Sequence, residues 1–156
     1  MKTPIPGLLA GLSAAAFAVS PVQASEDVAN AYLEAYETQD FDSLAALYAP
    51  DARFVDPTSF DVPDTTPPID WRGRDTIIAG LQGWGVAEVD YQIDRSFTAS
   101  GRTIFDGSVT AVFANNGDAV SYRFPIITIV TVADGLVVEH RDYTDYAGAQ
   151  RIMEGN

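Results

Sequence analysis

Cysteine is absent from the 156 residues. No disulfide, thiol nucleophile or thiolate-held metal is therefore open to this chain, and its stability must come from packing. Basic residues are scarce: Lys and Arg number 9 against 22 Asp and Glu, for a formal charge of −13. A surface this acidic repels nucleic acid and anionic lipid, and no basic patch breaks the pattern. Histidine occurs once, which leaves little from which to build a metal site. No serine sits in a Gly-x-Ser-x-Gly elbow, so no covalent nucleophile constellation stands out. Internal repeats and low-complexity tracts are missing too.

What is present starts with an export signal. Lys2 gives a short basic start, and Leu8 to Val19 is an apolar run of Ala, Leu and Gly character. Val22-Gln23-Ala24 fits the small-residue rule for cleavage, with Ser25 as the mature start. The run falls well short of the ~20 residues a spanning helix needs. The expectation is a signal peptide over 1–24, one domain over 25–156, and a periplasmic or secreted location. Cleavage removes Lys2 and no acid, which makes the remaining chain more acidic still.

Three helices are predicted first. Ser25-Glu26-Asp27 reads as a capped start, with Val28, Tyr32, Ala35 and Tyr36 at helical spacing. Asp40 caps a second helix carrying Phe41, Leu44, Leu47 and Tyr48, and Pro50 stops it. A short strand, Ala52 to Asp56, is closed by Pro57. Residues 57–72 hold four prolines and read as a long loop or lid. Its acids Asp61 and Asp64 lack the spacing of a Ca²⁺ loop. A third helix follows Gly73 and buries Ile77, Ile78 and Leu81.

Strand signals fill the second half. They cover Val89 to Ser100, Arg102 to Phe113, Ala119 to Val132, and Leu136 to Asp145. Asn115 to Asp118 and Asp134-Gly135 are the hairpin turns. Pro125 within the third segment predicts an edge or a bulge. Helices first and a meander of long strands after argue an α+β, cone-shaped fold: three helices packed on a curved, mostly antiparallel β-sheet, with an internal pocket.

The last strand holds the most telling pattern. Side chains alternate faces along a strand, which places Val138, His140 and Asp142 on one side and Val137, Glu139, Arg141 and Tyr143 on the other. An acid within a sheet face needs a partner, and the lone imidazole sits two residues away.

The chain resembles the nuclear transport factor two-like superfamily, and within it the SnoaL-like polyketide cyclases, limonene-epoxide hydrolase and the ketosteroid isomerases. The likeness rests on Ala31-Tyr32-Leu33-Glu34, Leu47 through Pro57, Trp71-Arg72-Gly73-Arg74-Asp75, and Asp134-Gly135 through His140-Arg141-Asp142-Tyr143-Thr144-Asp145. It implies the cone fold and dimerisation through the sheet. Asp56 matches the isomerase base and Tyr32 the isomerase oxyanion donor. The isomerases' second donor would fall at Ile127, where no acid stands. Asp142 matches the hydrolase acid that activates water, and Phe54 replaces that enzyme's water-binding Tyr.

The expected catalytic set is therefore Asp142, Asp56, His140 and Tyr32. Phe54, Trp71, Trp84, Tyr91 and Ile127 are the expected pocket wall. No metal and no cofactor is called for. The expected ligand is a small lipophilic molecule, handled by acid/base isomerisation, cyclisation or hydrolysis, or simply bound. Ordinary readings stand beside these: Asp56-Pro57 as a strand-to-loop turn, Tyr32 as a core ring, His140 as a hydrogen-bonded neighbour.

Overall fold

The computed structural model describes residues 20–59, 67–115 and 118–152. The apolar run Leu8 to Val19 and the acids Asp61 and Asp64 lie outside the described residues. The element order is α1 (Pro21–Glu37), α2 (Phe41–Leu47), β1 (Tyr48–Asp56), β2 (Ile69–Arg72), α3 (Arg74–Gly83), β3 (Val86–Ala99), β4 (Arg102–Asn115), β5 (Asp118–Ala133), β6 (Leu136–Thr144) and β7 (Gln150–Ile152). No described helix is long and apolar enough to cross a membrane.

Helix α1 starts earlier than its sequence suggests. Ser20 caps it, accepting the Gln23 N–H at 3.1 Å, and Pro21 takes the first position. Proline suits that position because its missing N–H would have no helical partner there. Ser25, the expected cap, instead bonds back to the Pro21 carbonyl. Ala29, Tyr32, Leu33 and Tyr36 form the buried stripe, at the three- and four-residue spacing of one helix face. Gln39 in a left-handed conformation (φ 54°) turns the chain, and Asp40 caps α2 through the Ser43 N–H.

The strands form one sheet in the order β2-β1-β6-β5-β4-β3, with β7 on β5. β1 and β6 are parallel and the other pairs antiparallel. Asp134 and Gly135 both have positive φ (51° and 77°), as the tight turn between β5 and β6 requires. Two strands were not anticipated. β2 lies inside the expected loop, held by register with β1 and by Trp71 stacking on Phe54 at 5.4 Å. β7 is three exposed residues whose pairing to β5 no local pattern announces.

Pro125 lies on β5 opposite Ser108 of β4, with no bulge at that point. Its carbonyl accepts from the Asp145 N–H, just beyond the end of β6. The missing N–H therefore points to the gap between the β6 and β7 ladders, a local edge.

The face assignment of β6 needs one correction. A register shift lets Thr131 pair Glu139 while Val132 pairs Val137. Val138 is the extra residue of a bulge, and a bulge resets the alternation. Val137 consequently points into the core, fully buried, on the same side as His140, Asp142 and Thr144. Glu139, Arg141 and Tyr143 face outward. There Arg53 grips Asp70 with two bonds of 2.6 Å and Arg141 grips Glu139 at 3.1 Å.

The core lies between the helices and the inner sheet face. Tyr32, Leu44, Tyr48, Phe54, Ile77, Val130 and Val137 are its largest wholly buried members, and His140 sits among them.

Candidate functional site

Residue His140 stands on the inner face of β6, opposite Val130, and is sealed there with no exposed surface. Three rings stand edge-on around it: Phe54 at 4.5 Å, Tyr36 at 5.2 Å and Tyr32 at 5.3 Å between centroids. Both imidazole nitrogens are engaged. Nδ1 meets the Tyr32 hydroxyl at 2.5 Å, and Nε2 meets Asp142 Oδ1 at 2.9 Å. The Tyr32 hydroxyl also bonds that of Tyr48. Thr128 of the neighbouring strand donates to the same Asp142 oxygen at 2.6 Å.

The result is a continuous chain: Tyr48, Tyr32, His140, Asp142, Thr128. An ionised carboxylate accepts only, so Nε2 carries the proton it gives to Asp142. Nδ1 of the neutral ring then accepts from Tyr32. Burial, reinforced by the neighbouring rings Tyr48 and Tyr36, pushes the Tyr32 hydroxyl well above its ordinary ionisation range. Burial does the same to Tyr48. Both phenols stay protonated and can serve as donors.

Beside this chain opens a cavity of about 260 Å³. Its wall is mostly apolar, with Leu81, Trp84, Val89, Val109, Phe113, Phe124 and Ile126 contributing. The polar groups reaching it include Asp142, Asp56, Thr144, Tyr36, Tyr91 and Tyr146. Asp142 is 4% exposed. Both bonds described for it fall on Oδ1. No buried side-chain oxygen lacks a partner among the described residues, so Oδ2 is the atom that meets the cavity.

Asp56 is held differently. Its Oδ1 accepts the Thr58 N–H at 2.9 Å and the Thr58 hydroxyl at 2.5 Å. Its Oδ2 accepts the Tyr146 hydroxyl at 2.6 Å and, at 3.4 Å, that of Thr144. Thr58 in turn receives the Thr144 N–H at 2.9 Å. This carboxylate fastens the end of β1 to the end of β6 and to Tyr146. The ordinary turn reading accounts for both of its oxygens, although its surface borders the cavity.

The residues singled out from sequence thus fall into layers. Asp142, Asp56, Trp84 and Tyr91 line the cavity. His140, Tyr32 and Phe54 lie behind it, and Tyr32 meets the imidazole rather than open space. Trp71 packs between Phe54 and Trp84, 5.5 Å from the latter. Ile127 does not belong to the wall. It is 40% exposed and faces outward opposite Tyr143, because Ile126 and Thr128 take the inner positions of β5. Sequence reading missed Tyr36, Tyr146, Thr128 and Thr144 as site members. The alternation of β5 around Thr128 was the available signal for one of them. Tyr146 follows the last strand and is held inward by its bond to Asp56 and by packing on Phe124.

Two more phenols complete the electrostatics. Burial raises the ionisation of Tyr36, with Tyr91 and Asp142 adding to it. It raises Tyr91 as well, with Asp142 the next cause. No group of three or more metal-binding side chains occurs among the described residues.

Helices laid over a curved, unclosed sheet, with an acid-bearing hollow between them, define an α+β protein of the NTF2-like class. The chain belongs to the SnoaL-like domain family, whose model matches residues 29–140. Solved structures agree in fold. A protein of Shewanella putrefaciens CN-32, provisionally named a SnoaL-like polyketide cyclase, superposes with a TM-score of 0.68 at 23% identity over 79% of this chain and 90% of its own. An LEH-like epoxide hydrolase of M. tuberculosis gives 0.65 at 17% identity, covering 82% of this chain and 87% of its own. A Kribbella flavida protein provisionally named a ketosteroid isomerase gives 0.61 at 17%, covering 86% and 84%. No curated protein matches the chain.

Proposed function

We propose that the chain binds a small lipophilic molecule in this cavity and transfers a proton on it without a cofactor, with Asp142 as the base. One observation carries the reading: a buried carboxylate with one oxygen tied to His140 and Thr128 and the other open to an apolar hollow. A fixed, poorly solvated carboxylate is what general-base catalysis asks for, and such a group contributes ~10²–10⁴ in rate. Asp142 Oδ2 would take a proton from the ligand or from a water poised to attack it. The protonated hydroxyls of Tyr36 and Tyr91 would donate to the oxygen on which charge develops. His140 would hold Asp142 in place, and Tyr32 would hold His140. Isomerisation, cyclisation and hydrolysis all fit this division of roles. The cavity lies just below the ~300 Å³ at which drug-sized sites begin, which favours a ligand smaller than a steroid.

The test is deuterium uptake. Small cyclic ketones are incubated with the protein in D₂O and exchange next to the carbonyl is followed by NMR, with hydrolysis of cyclic epoxides as a parallel arm. Acceleration that falls by ~10²–10⁴ in Asp142→Asn supports the reading. No acceleration in either arm, with the fold intact, sinks it.

A second reading is a binding module without chemistry. It is favoured by Asp56, whose oxygens are already spent on Thr58, Thr144 and Tyr146 and which leaves Asp142 without a free acidic partner. Binding without exchange is its signature.

Export belongs to the same proposal. Cleavage after Ala24 would remove the first turn of α1 and leave Ser25 as a new cap before Glu26 and Asp27, with a periplasmic or secreted product. A homodimer through the outer sheet face is proposed too. Ile127 and Tyr143, opposite each other and 40% and 42% exposed, are the apolar patch it would cover.

A further inference from the structure

The charge inside the cavity is one-sided. Asp142 and Asp56 both line it, 4% and 2% exposed. None of the eight arginines does. Arg53 is engaged by Asp70, Arg141 by Glu139, Arg95 by Asp106 and Arg74 by Asp75. Arg123 spends its guanidinium on Ser108 and Gln92. The partners of Asp56 are hydroxyls and one N–H, all neutral. Asp142 has Thr128 and the imidazole.

Aromatic rings surround the same space. Tyr36 and Tyr91 meet edge to face at 6.1 Å, and Phe124 and Tyr146 at 5.7 Å; Trp84 adds a fifth ring. Ring faces carry negative potential and attract organic cations, most strongly when water is excluded. A carboxylate oxygen left open at such a place adds a charge-assisted bond for an N–H⁺ donor.

We propose that the ligand of this cavity is a small lipophilic amine, bound as its ammonium ion with the nitrogen on Asp142 Oδ2 and its hydrocarbon part against the aromatic wall. This rests on the cavity being the binding site, as in the binding-module reading, and names the class of molecule it selects; an ammonium ion seated there occupies the oxygen that the catalytic reading uses as base. Carboxylates and phosphates are rejected, because they would join two buried acids with no cation to offset them.

The experiment uses three molecules with one carbon skeleton: cyclohexylmethylamine, cyclohexylmethanol and cyclohexanecarboxylate. Each is titrated at neutral pH into the purified protein, following the fluorescence of its two tryptophans, Trp71 and Trp84, and, independently, amide NMR shifts of β6. The amine is expected to bind about tenfold or more tighter than the alcohol, and the carboxylate not at all. Asp142→Asn is expected to erase the preference for the amine while the alcohol still binds, which also shows that the variant is folded. If the alcohol binds as well as the amine, or the carboxylate binds, the cation preference is overturned and the cavity reading survives. If none of the three binds at millimolar concentration, both fall.

Discussion

Tyr32 is the side chain whose role changed most between sequence and structure. It resembles an oxyanion donor, yet its hydroxyl lies between Tyr48 and His140, away from the cavity. Its worth is positional and can be measured. Tyr32→Phe leaves Nδ1 of His140 and the Tyr48 hydroxyl each short of a buried partner. Such a loss costs about 1–3 kcal/mol, to be read from urea denaturation with an unchanged m-value. If stability is unaffected, the hydrogen-bonded chain is not holding the site together. Asp142 has the opposite character: one oxygen secures it and the other is available.

The buried phenols also set the alkaline limit. Tyr32, Tyr36, Tyr48, Tyr91 and Tyr146 all have their ionisation raised, in each case chiefly by burial. The folded state therefore keeps protons that the unfolded chain releases above about pH 10. Their stabilising contribution is complete below that value and is lost as pH rises past it, by ~1.4 kcal/mol per pH unit for each such group. Tyrosinate absorbance of these residues is expected to appear together with loss of near-UV circular dichroism. Ionisation of Tyr32, Tyr36 and Tyr48 while the fold persists would contradict their burial.

Among the elements, α3 and the β3–β4 pair show how close approach fixes glycine. A Cβ on Gly80 would stand 2.5 Å from the Trp71 ring, which is itself stacked on Phe54. Gly80→Ala gains up to about 1 kcal/mol in helix preference but overpacks the aromatic stack by about 1–3 kcal/mol. A net loss of stability is expected. Gly107 is tighter still, 2.1 Å from the Gln92 carbonyl oxygen, beside the register shift in β3. Backbone cannot swing aside as a ring can, so Gly107→Ala should lower the melting temperature more than Gly80→Ala. The reverse order would mean that the β3–β4 register adapts easily.

For the molecule as a whole, charge is the dominant global fact. A net −13 carried largely on the outside favours expansion through self-repulsion. Raising NaCl from about 0.02 M to 0.5 M shortens the screening length several-fold, and the melting temperature should rise. A fall would point to the Arg53–Asp70 and Arg141–Glu139 pairs of the outer face outweighing the repulsion. The outer patch makes a further prediction. Ile127→Asp should convert a dimer to a monomer in sedimentation without loss of fold, since Ile127 makes no part of the core. A wild-type monomer would remove the dimer proposal. The N-terminal sequence of protein recovered from its own host should read Ser25-Glu26-Asp27-Val28, and an intact Met1 would remove export by cleavage.

Composition, turn residues and periodicity decided by themselves that this is one acidic, cysteine-free α+β chain whose strands join at Asp134-Gly135. They also placed an acid and the lone imidazole on one face of its last strand. Those features are local: spacing of two or 3.6 residues, a turn that needs positive φ, a count of charges. Tertiary structure alone decided the rest. The Val138 bulge turned Val137 inward, β2 found its partner through Trp71 on Phe54, and Ile127 came to lie outside. Asp56 became a fastener while Asp142 kept an open oxygen. Each of these depends on what a distant strand places opposite, and a pairing partner 14, 88 or 108 positions away leaves no mark on the sequence around a residue.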